Sequence, residues 1–129
     1  MRETILIVDD ELEVSSLLAA VLCGRGFRAH GVTSAEECLD LLRRVAVDVV
    51  VTDIQMPRCS GLELCRVLHD QYPHVVSLVL TGQVSAEMSA AALDAGAYGF
   101  IKKPVTVDAL AAIVVRALAR RERSAIAVS

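Results

Sequence analysis

Three aspartates, a threonine and a lysine stand where short apolar runs of this chain stop. Ile5-Leu6-Ile7-Val8 ends in Asp9-Asp10, Val49-Val50-Val51-Thr52 ends in Asp53, and the run closing at Leu80 ends in Thr81. Phe100-Ile101 leads through Lys102 to Lys103-Pro104. Carboxylates gathered in one place repel each other and raise at least one pKa unless a cation sits among them. Oxygen-only ligands with open positions suit Mg²⁺, which keeps waters and takes one or two carboxylates plus a substrate phosphate. A lysine opposite the ion and a threonine hydroxyl add donors for phosphoryl oxygens. A carboxylate nucleophile, a divalent ion and an ammonium form a minimal site for in-line phosphoryl transfer. Taken singly these residues are ordinary. Asp9-Asp10 also suits a helix N-terminus, and a lysine before a proline is usually solvated. The chemistry requires that all five converge.

Convergence depends on the elements between them. Apolar runs alternate with amphipathic stretches along the whole chain, which predicts an α/β protein with a parallel sheet and crossover helices. Strands are expected at about 4–8, 28–32, 49–52, 75–80 and 99–101. The first helix is expected over 11–23, with Val14, Leu17, Leu18, Val21 and Leu22 inward. Ser34-Ala35-Glu36-Glu37 has the pattern of a capping box. The helix it opens is expected to reach Val45, with Cys38, Leu41, Leu42 and Val45 inward. Further helices are expected over 62–71 (Leu64, Cys65 and Leu68 inward), 85–95, and 106–121 (Leu110, Ile113, Val114, Ala117 and Leu118 inward). In the strand order 2-1-3-4-5 of a flavodoxin-like, doubly wound (βα)5 sandwich, strands one and three flank the switch point. That order brings Asp9, Asp10 and Asp53 around one crevice.

The 129 residues suffice for one domain, assigned to 1–123, with 124–129 a C-terminal tail or the start of a linker. An apolar content of 54% supports a full core, and a formal charge of −3 gives no electrostatic reason to bind nucleic acid. No uninterrupted apolar stretch is long enough to span a membrane. The start lacks a signal-peptide pattern, so a cytoplasmic location is expected. Reduced thiols at Cys23, Cys38, Cys59 and Cys65 fit that compartment, and their spacing matches no zinc motif. Cys23, Cys38 and Cys65 fall at apolar helical positions. His30, His69 and His74 are scattered and are taken as ordinary surface or half-buried residues.

Four segments together resemble the receiver domain of two-component response regulators: Ile7-Val8-Asp9-Asp10-Glu11; Asp53-Ile54-Gln55-Met56-Pro57 with Ser60-Gly61; Leu80-Thr81-Gly82; and Gly96-Ala97 through Phe100-Ile101-Lys102-Lys103-Pro104. The resemblance covers about residues 3–121. It implies that Asp53 accepts a phosphoryl group from a sensor histidine kinase or a phosphotransfer protein. It implies Mg²⁺ held by Asp10 and Asp53 directly, by Asp9 mainly through water, and by the backbone carbonyl of Gln55. Lys103 corresponds to the family lysine because it precedes the proline, a bond that is cis in many relatives. Thr81 and Phe100 match the switch pair, in which the hydroxyl moves toward phosphate and the ring fills the space. The implied output face is the fourth helix, fifth strand and last helix, acting on an output domain or downstream protein and open to homodimer formation.

Ala86, Ala90, Ala91 and Ala92 would give that fourth helix a smooth surface, though alanine also reflects plain helix propensity. Tyr98-Gly99 stands where many dimerising transcriptional receivers carry an acid, which weighs against that dimer. Cys59 replaces a frequent methionine, and Gln55 and Gln83 stand at positions that tune phosphate lifetime. On this reading the chain is not an enzyme beyond its own phosphorylation and slow dephosphorylation. Two alternatives remain: a receiver-like interaction module that needs no phosphate, and an aspartyl-phosphate phosphatase. The phosphatase pattern, D-x-D after the first strand with a cap domain, is not matched here.

Overall fold

A computed structural model describes backbone residues 2–128 and side chains to residue 120. The elements in chain order are β1 (Thr4–Val8), α1 (Leu12–Gly24), β2 (Arg28–Val32), α2 (Ala35–Leu42), β3 (Val49–Asp53), α3 (Gly61–Gln71), β4 (Val76–Thr81), α4 (Ala86–Asp94), β5 (Gly99–Lys102) and α5 (Val107–Val128). All strand pairs are parallel and the sheet order is β2-β1-β3-β4-β5, as the sequence predicts. The reversal of direction across the sheet falls between β1 and β3.

Alternation along the strands sorts the core into two faces. Ile5, Ile7, Val49, Val51, Leu78 and Leu80 face Leu22 of α1 and Leu110, Val114 and Ala117 of α5. Leu6, Val8 and Val50 face the other way, onto Cys38 and Leu42 of α2 and Leu64 and Leu68 of α3. A third group, Cys65, Val79, Ala92, Ala95 and Ala97, seats α4 beside α3. β1 and β3 are buried throughout, so their apolar runs are continuous rather than alternating. β2, at the edge, is largely exposed or half-buried.

Side-chain caps fix where four helices begin. Ser34, Ser60 and Ser85 hydroxyls accept from the amides of Glu37, Glu63 and Met88 at 3.1, 3.2 and 3.0 Å. The Thr106 hydroxyl accepts from Ala109 N at 3.1 Å. Each such cap contributes about 1 kcal/mol. Only half of the expected capping box forms. The Glu37 carboxylate accepts from the Thr33 hydroxyl at 2.7 Å.

Three expectations need correction. In α1, Leu22 is buried, Leu18 packs on the core and Val14 and Val21 are half-buried as expected, but Ser15 and Ala19 are also buried, Leu17 is 65% exposed and Cys23 is exposed. Here α1 closely approaches β2: a Cβ on Gly31 would lie 2.7 Å from both the carbonyl carbon and oxygen of Ser15. The small residue Ser15 stands at that contact. Second, α2 ends at Leu42, so Val45 is exposed and Val47, beyond the helix, enters the core instead. Third, α5 continues past Arg121 to Val128. No glycine or proline interrupts that segment. Ser129, last in the segment read as a tail, lies outside the described residues.

The Gly31 contact makes a prediction. Gly31→Ala should push α1 off the sheet and destabilise the protein by about 1–3 kcal/mol, read as a lower urea midpoint. An unchanged midpoint would refute the tight α1–β2 contact.

Candidate functional site

The parallel register delivers the five candidate side chains to one edge. β1 and β3 pair through Val8 and Thr52, so Asp9 and Asp53 leave adjacent strands together. Thr81 pairs with Lys102, and the Lys103 amide donates to the Thr81 carbonyl at 2.8 Å, carrying the ladder one residue further. The Lys103–Pro104 peptide is cis. Asp10, Asp53, Gln55, Thr81 and Lys103 line one cavity of about 590 Å³, joined by Glu11, Ile54, Gly82, Gln83, Ser85 and Met88.

Asp9, Asp10 and Asp53 each offer a carboxylate oxygen within 4.8 Å of the others. The Lys103 ammonium lies 3.1 Å from Asp53 Oδ1 and 4.0 Å from Asp9 Oδ2. Asp9 is buried to 1% exposure. Its Oδ1 accepts from the Glu11 amide at 2.9 Å, but its buried Oδ2 has no hydrogen-bond donor. Burial pushes the Asp9 carboxyl above the ordinary aspartate value; the Glu11 N–H opposes this, the Asp53 charge adds to it, the Lys103 ammonium opposes it and the Asp10 charge adds again. A buried acceptor without a donor, beside two more carboxylates, is a place for a cation. The all-oxygen donor set and the open cavity fit Mg²⁺.

Thr81 is buried, and its hydroxyl is bonded to the backbone of Gln83. It donates to the Gln83 carbonyl at 2.8 Å and accepts from the Gln83 amide at 3.2 Å. Phe100 is half-buried against Ala92 and Ala97. Gln55 is exposed on the cavity wall.

Sequence reasoning missed three contributors. Glu11 acts through its amide, which no side-chain pattern reveals. Gly61 lies so close under Asp53 that a Cβ there would overlap the Asp53 carbonyl oxygen. Its signal was present as the Ser60-Gly61 step, and its amide closes the loop by donating to the Ile54 carbonyl at 2.9 Å. Met88 reaches the cavity from the first turn of α4, placed there by the Ser85 cap. The thiols take no part. Cys38 and Cys65 are buried, and burial, with Cys65 nearby, drives the Cys38 thiol up to about 12.

Known proteins carry the same arrangement. The response regulator receiver domain family matches residues 5–115. The response regulator MprA of Mycolicibacterium vanbaalenii is 39% identical over 121 residues, 94% of this chain and 52% of that protein. The nitrogen assimilation regulatory protein NtrX of Azorhizobium caulinodans is 36% identical over 92% of this chain and 26% of its own length. Among solved structures, chemotaxis response regulator CheY4 of Vibrio cholerae superposes with a TM-score of 0.85 at 25% identity, covering 92% of this chain and all of CheY4. NtrX from Brucella abortus superposes with a TM-score of 0.91 at 29% identity over 98% of this chain and 29% of that one. A sheet of order 2-1-3-4-5 with an acidic crevice at its switch point is the receiver architecture, and this chain belongs to the response regulator receiver domain family. It spans about half the length of the MprA regulators it matches.

The state of Asp9 yields a pH prediction. Its folded pKa is raised, so its penalty on folding is absent below the ordinary value of 3.8 and grows as pH rises through the folded pKa. Any bound cation must displace that proton. Mg²⁺ affinity, followed by titration calorimetry, should therefore rise with pH across this window. Asp9→Asn should raise the urea midpoint at neutral pH while weakening Mg²⁺ binding about tenfold. A lower midpoint would contradict the assigned repulsion.

Proposed function

We propose that the protein is a phosphorylation-dependent switch that accepts a phosphoryl group on Asp53. The observation that carries this reading is the Lys103 ammonium 3.1 Å from Asp53, beside the clustered carboxylates of Asp9 and Asp10. The donor would be a phosphohistidine of a sensor kinase or phosphotransfer protein. The Asp53 carboxylate attacks phosphorus in line, and the leaving nitrogen departs toward solvent. Lys103 offsets negative charge on the phosphoryl oxygens and holds the nucleophile in place. Asp10 and Asp53 would hold Mg²⁺ directly, Asp9 through water, with the Gln55 carbonyl as a further ligand. The ion supplies charge neutralisation at the phosphoryl group.

Output follows from Thr81. Its hydroxyl is held by Gln83, so donating to a phosphate requires exchanging one acceptor for another. That movement vacates space beside Phe100. The ring packs on the cluster that holds Ala92 of α4 and borders an apolar recess of about 290 Å³ together with Ala92, Leu93, Ala97 and Ile113. The α4-β5-α5 face would thus change shape between two populated packings. It would act on an attached output domain, a downstream protein or a second copy of the chain. No described helix is long and apolar enough to cross a membrane, and a cytoplasmic role beside a kinase agrees with the family. Beyond its own phosphorylation and slow dephosphorylation the protein would turn over no substrate.

Incubation with phosphoramidate and Mg²⁺, followed by intact mass, should add one phosphoryl group to the wild type and none to Asp53→Ala. Equal labelling of both would remove Asp53 from this role. Thr81→Val should still be labelled, but the NMR shift changes at Phe100 on phosphorylation should be lost. Wild-type shifts in that variant would dissociate the hydroxyl from the switch.

A further inference from the structure

The loop that follows Asp53 holds an arginine in a conformation that arginine disfavours. Arg58 has φ 71°, the one positive φ outside glycine among the described residues. It is the centre of a three-residue turn closed by the Cys59 amide donating to the Pro57 carbonyl at 2.8 Å. Such a turn is rare and strained, and glycine is the relaxed occupant. Packing does not explain the choice, because the Arg58 side chain is 86% exposed. Its one ion pair, with Glu36 at 3.9 Å, joins two exposed groups and returns little.

Position offers an explanation. Arg58, Pro57, Glu36 and Asp10 border a cleft of about 380 Å³ between the β2–α2 and β3–α3 loops. Asp10 also lines the cavity over Asp53, so the two clefts meet at that residue. Acidic Asp10 and Glu11 line the cavity over Asp53, and Lys103 is paired with Asp53 there. Arg58 is therefore an exposed cation bordering the adjoining cleft, paired with the equally exposed Glu36. A guanidinium fork there matches a departing carboxylate.

We propose that Arg58 is a specificity-determining residue that favours small acyl-phosphate donors. The inference rests on Asp53 being the phosphoryl acceptor. In that reaction an Asp53 oxygen forms a bond to phosphorus while the bond between phosphorus and the acyl oxygen breaks. The electron pair leaves on the carboxylate, which carries its negative charge outward past Asp10. Arg58 releases Glu36 and pairs with that carboxylate. A donor whose leaving group is neutral, such as phosphoramidate releasing ammonia, gains nothing from it.

Arg58→Gln keeps the length and the unfavourable backbone conformation but removes the charge. With Mg²⁺, its labelling rate from acetyl phosphate should fall about fivefold at low salt. Its rate from phosphoramidate should stay within about twofold of wild type. The wild-type advantage with acetyl phosphate should shrink as salt is raised. Equal effects on both donors, or no effect on either, would overturn the assignment. Arg58→Gly provides a second reading: it should gain stability by relaxing the turn and show the same donor-selective loss. A wild type labelled by neither donor would instead strike the acceptor role of Asp53 itself.

Discussion

Crowded negative charge governs this molecule. Three carboxylates share a space a few ångströms across, with one ammonium in direct contact. One of the three is buried with an oxygen that no donor reaches. A fold tolerates such a group only when neighbouring structure holds it rigidly and when a cation can relieve it. The sheet supplies the rigidity. Asp9 and Asp53 continue strands that are buried on both faces, and Gly61 is packed directly beneath the Asp53 backbone. Neither carboxylate can swing away to escape its neighbours.

The same rigidity limits where movement can occur. β1 and β3 cannot respond to a change at Asp53 without disturbing the core. The β4–α4 loop can. The Thr81 hydroxyl at its start is bonded to the neighbouring Gln83 backbone, and α4 buries just Ala92 among its own residues. The region beyond Thr81 is thus the lightly anchored side of a stiff crevice, which is the distribution of stability that conformational switching requires.

Much of this was legible in the residues. Strand positions follow from apolar runs, and the five site residues follow from what terminates those runs. In α1, Leu18 and Leu22 were legible as inward residues, but the exposure of Leu17 was not, because Leu12 and Leu17 make the outer face apolar as well. Size enters as well: Gly31 on β2 comes so close to α1 that the small residue Ser15 stands at the contact. Hydropathy carries no record of that distance. The orientation of the Thr81 hydroxyl was equally hidden, since a threonine at a strand end can bond locally or across the site. The Glu11 amide and the Arg58 turn belong to backbone geometry, which side-chain identity only weakly encodes.

The sheet order also has a consequence for biosynthesis. β1 emerges first, yet its two neighbours in the sheet are β2 and β3, and one of its faces is closed by α5. In a growing chain the cover that α1 gives Ile5 and Ile7 stays incomplete until Leu110 and Val114 have been made. Parallel pairings of high sequence separation form slowly, so this sheet face stays incompletely covered until α5 is made. The segment most distant from Asp9 in sequence is the one that seals the hydrophobic layer beneath it.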